Sequence, residues 1–194
     1  MSERLVNWLV GVIVSPGETL REIAYAKPVA WGVVIYLVVS VLAGATSNGA
    51  IPAHLHLTVT LLSPIFTVIT LFIVVGLYHL FARLFKGRGE FWGLFSAVCF
   101  AGFVTIFMPP INLLSQVGGI GLGVVTGILS LGIMVWNLVL NVLAVRESHQ
   151  ITTGMSVLAV LIPIVILSVL MLILVVAVVM FFYQFMDLEQ FMGV

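Results

Sequence analysis

VLAVLIPIVILSVLMLILVVAVVMFF, residues 157–182, holds no charged side chain and no polar one except Ser168. At about 1.5 Å of helical rise per residue such a run crosses a hydrocarbon layer of about 30 Å. Four stretches of the same kind precede it, at residues 29–45, 57–84, 91–114 and 120–145, and the first is the shortest. None contains an acidic residue, and the one basic residue, Arg83, stands at an edge from which a long side chain reaches the interface. With 62% hydrophobic and 7% charged residues, the chain has more apolar surface than a soluble 194-residue domain buries around one core. The fold class read from this is all-α: a polytopic membrane bundle of five transmembrane helices.

The cations support the same count independently. Arg4, Arg21 and Lys27 precede the first span, Arg83, Lys86 and Arg88 follow the second, and Arg146 follows the fourth, while the other three exterior segments have none. The positive-inside rule then predicts an integral membrane protein with a cytoplasmic N terminus and an exterior C terminus. Merging or splitting any stretch would destroy the alternation. Seven scattered cations at zero formal net charge build no phosphate-binding face for nucleic acid, so no nucleic-acid partner is expected. Cys99 is the single cysteine and lies mid-span, which excludes a disulfide framework or a thiolate metal site within one chain.

Ahead of the spans, residues 1–14 place Leu5, Trp8, Leu9 and Val12 on one side of a helix and Glu3, Asn7 and Gly11 on the other. This is the spacing of a helix lying flat in the interface, with Trp8 in the headgroup zone. A signal peptide is the competing reading, against which stand the short apolar run and the lack of a small-residue cleavage site. Ser15-Pro16-Gly17-Glu18 then predicts a capped helix start, with the helix running to about Ala26 and ended by Lys27-Pro28. That helix is an entry device and also the best candidate for a cytoplasmic contact surface. The organisation is therefore residues 1–27 as N-terminal helices, 28–185 as the five-helix domain and 186–194 as a short exterior tail.

Within the spans, Gly119, Gly123 and Gly127 recur every four residues, and the same face continues through Ser130 and Met134 to Asn137 and Asn141. Small residues let a second backbone approach where lipid supplies no hydrophobic drive. The two amides at that depth require partners, so the face should meet protein or water. Gly93, Ala97, Ala101 and Thr105 form a matching line on the third span, which predicts antiparallel packing of spans three and four. Pro64, Pro109, Pro110 and Pro163 predict kinks or span ends. Lys86-Gly87-Arg88-Gly89-Glu90 reads as a tight turn whose glycines permit positive φ.

His54 and His56 fall in a short exterior polar loop, an incomplete ligand set for a metal. His79, one turn before Arg83, reads as an interfacial histidine, since a proton relay would need an acidic partner at depth. No carboxylate pair, phosphate loop, metal-binding run or activated nucleophile appears, so no catalytic residue, cofactor or metal is expected and the chain does not read as an enzyme.

The order of these features resembles the Yip1 domain family. The resemblance rests on the helix with Pro16 and Lys27-Pro28, the basic glycine turn after Tyr78 to Phe85, and the stretch from Phe95 to Pro109. It rests further on Trp136-Asn137-Leu138-Val139-Leu140 followed by Val145-Arg146-Glu147-Ser148-His149-Gln150, and on Met155 to Pro163. It covers roughly residues 15–180 and implies five spans with a cytoplasmic N terminus. Eukaryotic members of the family associate with Rab GTPases and with one another in early secretory traffic, whereas this chain resembles the prokaryotic members. It lacks the long polar N-terminal region and the Asp-Leu-Tyr-Gly-Pro type of segment, which puts GTPase binding in doubt. The resemblance carries no active-site residue.

Two functions follow as expectations. The first is a non-enzymatic scaffold or membrane-organising protein working by association with lipids, with itself or with another membrane protein, through the helix at Pro16 to Ala26 and the small-residue faces of spans three and four. The alternative is a lipid or small-solute transporter or scramblase with Asn137 and Asn141 lining a polar groove.

Overall fold

The computed structural model describes the backbone of residues 2–46 and 53–192, and side chains within residues 3–46, 62–119 and 121–183. Helix is the only regular structure among them. In chain order the elements are α1 (Ser2–Val14), α2 (Pro16–Ala26), α3 (Val29–Thr46), α4 (Ala53–Leu84), α5 (Phe91–Ala101), a 3-10 segment (Gly102–Phe107), α6 (Met108–Val117), α7 (Ile120–His149) and α8 (Thr153–Met192). Among the described residues five stretches are long and apolar enough to cross a membrane: Val29–Thr46, Leu62–Leu84, Phe91–Val117, Gly121–His149 and Thr153–Tyr183. Two compact units divide the chain, Met1–Val160 and Leu161–Val194. The second continues α8 and is apolar on every face as far as Phe182.

The centre of the first unit is α5, whose Leu94, Phe95, Ala97, Cys99, Phe100 and Ala101 are fully buried. It passes into the 3-10 segment for a reason legible in the next residues. Pro109 and Pro110 have no N–H to give the carbonyls of Thr105 and Ile106, so an α ladder cannot continue through them. The Met108 N–H instead donates to the Thr105 carbonyl, and the Thr105 hydroxyl donates to the Gly102 carbonyl at 2.7 Å. The tighter winding that results is confined to six residues. At the far end of this span the Gln116 amide donates to the Thr46 carbonyl at 3.1 Å, tying α6 to the end of α3.

The N-terminal helices are part of the core. Trp8 and Val12 face inward, with Trp8 edge-on to Phe100 at 5.7 Å between centroids, so the apolar side expected to lie in the headgroups is covered by the bundle instead. The face α1 leaves exposed is a second apolar one, Val6, Val10, Ile13 and Val14. Arg4 lies over the Trp8 ring and pairs with Glu22 of α2 at 3.1 Å. In α2, Thr19, Leu20, Ile23 and Ala24 are buried against α5 and α7, so this helix is a wedge as much as a surface.

Its start differs from the expected capping box: Ser15 makes no side-chain cap, and its carbonyl accepts from the Thr19 N–H and hydroxyl. Its end is as the Lys27-Pro28 pair predicts, with Lys27 in the left-handed region at φ 50°.

Two turns depart from the sequence reading. In the turn after α4, positive φ falls on Lys86 at 64°, not on the glycines. Gly87 and Gly89 are required for a different reason: a Cβ on Gly87 would stand 2.7 Å from the Ala82 carbonyl oxygen, and one on Gly89 would overlap the Ser148 carbonyl. The Arg88 N–H donates to the His149 carbonyl at 3.1 Å, so the turn is pressed onto the end of α7. The fourth span, read as ending at residue 145, is helical through His149, with Gln150 left-handed at φ 54°. That extra turn brings Glu147 and His149 into the bundle.

Residues 47–52 lie outside the described residues. Ala53 to His56 open α4 instead of forming loop, and the side chains of His54 and His56 are likewise outside the described residues.

The cations gather at one end of the bundle. Arg21 and Arg146 both reach Glu147, Lys27 reaches Glu90, and Arg88 sits against the end of α7, with Arg83 and Lys86 flanking the same turn. The alternation read along the chain is thus a spatial segregation.

Candidate functional site: a polar cavity in the bundle and an open glycine face

Asn137 and Asn141 of α7 line one side of a cavity of about 180 Å³ in the first unit. Tyr36 of α3, Thr70 and Tyr78 of α4, and Gly102 at the head of the 3-10 segment line it as well, with apolar wall from Leu71, Val74 and Val98. The Asn141 amide donates to the Asn137 carbonyl at 2.8 Å and to its side-chain oxygen at 3.3 Å. The pair thereby satisfies part of its own demand along the helix, leaving the remaining amide capacity on the cavity wall. Gly102 shapes the opposite wall: a Cβ there would lie 2.7 Å from Cε2 of Tyr36, so glycine is what lets the phenol ring pack here.

Tyr36 and Thr70 also line a second, open cavity of about 560 Å³ between α3 and α4, together with Ser63, Thr67 and Phe66. The two cavities set hydroxyls and amides among apolar walls from Leu62, Phe66, Leu71, Val74 and Val98, and no carboxylate, histidine, lysine or arginine is among their lining residues. Such walls can hydrogen-bond a neutral polar group.

The two small-residue stripes have different fates. Gly93 is in close contact, since a Cβ would stand 2.6 Å from the Ala24 carbonyl oxygen, and Ala97 and Ala101 are fully buried below it. Gly93 therefore admits α2, while α5 and α7 pack through other residues such as Leu140, Ala144 and Val145. Gly119, Gly123 and Gly127 are exposed, and a Cβ on any of them would meet nothing within 4 Å. Gly121 and Gly132 share that openness.

At the basic end lies a group that the sequence does not announce. The His79 Nδ1 and His149 Nε2 atoms are 2.9 Å apart, and the Ser148 hydroxyl is 2.9 Å from Nδ1 of His149. One imidazole must donate and the other accept, so the accepting nitrogen carries no proton. His149 is fully buried under the Gly87–Gly89 turn. One signal points to it: 137, 141, 145 and 149 continue one face at steps of four, but the apolar run that marks the span stops at 145. Among the described residues no three potential ligands come together as a metal set.

An all-helical bundle with five apolar spans and a segregated basic end defines an integral membrane protein in contact with lipid. The Yip1 domain matches residues 10–177, and the chain belongs to the Yip1 domain family. No curated protein and no solved structure matches the chain.

Proposed function

We propose that the protein is non-enzymatic and acts by association within the bilayer, with a second copy of the chain as the partner of the outer half of α7. In this reading the basic end and the N-terminal helices are cytoplasmic, in accord with the positive-inside rule. One observation carries it: Gly119, Gly123 and Gly127 form a line at steps of four with open space above each. Such a line is the feature by which helices approach closely in lipid. A glycine in a helix interior also sacrifices about 1 kcal/mol of helix propensity relative to alanine, a loss that a close contact offsets.

The openness makes the test clean, because a Cβ added at Gly123 or Gly127 meets no neighbouring atom within 4 Å. Native mass spectrometry of the full chain in mild detergent should show a dimer for the wild type. Gly123→Leu and Gly127→Leu should yield folded monomer. Dimer retained in both variants, or monomer in the wild type under the mildest detergent, would remove the reading.

A second reading, passage of lipid headgroups or small polar solutes, is favoured by the paired cavities that share Tyr36 and Thr70. In reconstituted vesicles it requires transfer of labelled lipid that falls when Asn137 and Asn141 are both changed to leucine. Transfer indifferent to the double variant would eliminate the groove as the route.

A further inference from the structure

A second cavity system lies at the basic end, at the opposite end of α7 from its glycine line, and does not depend on the association reading. It is an open groove of about 490 Å³ between α2, the end of α7 and the link into α8. Arg21, Tyr25, Arg146, Glu147, Thr152 and Thr153 are among the residues lining it.

Glu147 is the floor, with its side chain 5% exposed, and both carboxylate oxygens are occupied. Arg21 donates to Oε2 from Nε and approaches it through Nη2, both at 2.6 Å. Arg146 donates to Oε1 from Nε at 2.9 Å and from Nη2 at 2.6 Å, and its Nη1 donates to the Thr153 hydroxyl at 3.3 Å.

One buried carboxylate is neutralised by one guanidinium, yet two are held here. Arg21 and Arg146 contribute two positive charges and Glu147 one negative, so the groove carries a surplus of one. Arg21 is 60% exposed and Arg146 33% exposed, so each keeps N–H groups beyond those given to Glu147. The carboxylate restrains both planar forks, which reduces the ordering needed to bind a second oxyanion. The Tyr25 hydroxyl accepts from the Gln150 amide at 2.6 Å, leaving its own proton to donate. Thr152 and Thr153 add hydroxyls where α8 begins.

The fourth span ends at His149 and the fifth begins at Thr153, so the groove lies between two span ends, the level at which headgroup phosphates stand. We propose that this groove binds a phosphate group, either that of an anionic lipid headgroup or that of a soluble phosphate compound. Bidentate guanidinium forks match phosphate oxygens, and the surplus charge selects anionic over zwitterionic headgroups.

The test uses the full chain in mild detergent. In one arm, native mass spectrometry compares retention of phosphatidylglycerol with that of phosphatidylcholine of the same acyl chains. In the other, thermal unfolding is followed with inorganic phosphate against chloride at equal ionic strength. The variants are Arg21→Gln, which brings the site to neutrality, and the triple variant Arg21→Gln/Arg146→Gln/Glu147→Gln, which removes both cations without stranding a buried carboxylate.

The expected result is phosphatidylglycerol retention on the order of tenfold over phosphatidylcholine, the scale of one charge-assisted hydrogen-bonded contact, lost in both variants. Stabilisation by inorganic phosphate that both variants abolish, without lipid preference, assigns the groove to a soluble phosphate source. The proposal is overturned if neither probe responds to these variants, or if an acidic peptide binds through Arg21 while both phosphate probes fail.

Discussion

Gly93 on α5 and Gly127 on α7 each belong to a stripe of small residues at steps of four, yet one is closed by its own chain and the other is open. A Cβ at Gly93 would stand 2.6 Å from the Ala24 carbonyl, whereas one at Gly127 would meet nothing within 4 Å. The contrast extends to the regions around them. Near the basic end, α2 wedges against α5 and α7, Gly87 and Gly89 press onto His149, and ion pairs link α2 to both α7 and the start of α5. Toward the other end, α7 from Gly121 to Val135 is largely exposed, Thr126 being a buried exception. Identical residue spacing thus serves intrachain closure in one place and leaves an accessible surface in the other.

The largest effect that tests this contrast is at Gly93. Gly93→Leu forces α2 away from α5, and we expect a loss of about 3 kcal/mol from overpacking against backbone. A lowered melting midpoint in detergent and faster tryptic cleavage at Arg21 would register it. Unchanged values for both would mean that α2 is not seated on α5. The same substitution at Gly127 should alter monomer stability by less than about 0.5 kcal/mol, the range of surface changes. A destabilisation equal to that of Gly93→Leu would erase the difference between the two stripes.

Between those limits stands His149, the buried member of the histidine pair. His149→Ala leaves the His79 ring nitrogen without its 2.9 Å partner and opens space beneath the Gly87–Gly89 turn. We expect a loss of about 2 kcal/mol. Hydrogen exchange at the Arg88 amide, which bonds the His149 carbonyl, should quicken along with it. Protection at Arg88 unchanged from the wild type would show that the turn does not depend on the imidazole.

Features carried by composition are legible in the amino-acid order itself. Five apolar runs and the alternation of Arg4 to Lys27, Arg83 to Arg88 and Arg146 lead directly to five spans with a basic end, because lipid imposes helix on long apolar runs. The gathering of Asn137 and Asn141 on one face is equally legible from their spacing. Their cavity partners are not, since Tyr36, Thr70 and Tyr78 come from other helices and only tertiary packing brings them together.

Trp8 suits the headgroup zone by type, but burial against Phe100 overrides that preference. The glycines of the turn after α4 suggest a conformational role, whereas their need is spatial and positive φ falls on Lys86. A missing Cβ looks the same in a sequence whatever it makes room for.

The smallest effect concerns the exposed link between the two sides of the packed end, Lys27 to Glu90 at 2.5 Å. The hydrogen bond from Lys27, and then its charge, hold the Glu90 carboxyl below the ordinary carboxylate value. A depressed folded-state value contributes stability above the unfolded-state value and loses it as pH falls through the folded one. The contribution of this pair is therefore complete at neutral pH and disappears on acidification below the usual glutamate range. Both partners are solvated, so the increment is small and screened by salt.

Glu90→Gln should lower the melting midpoint slightly at neutral pH and not at all in acid, with the neutral difference shrinking at high salt. A difference that persists in acid would point to a role for the Glu90 side chain other than pairing with Lys27.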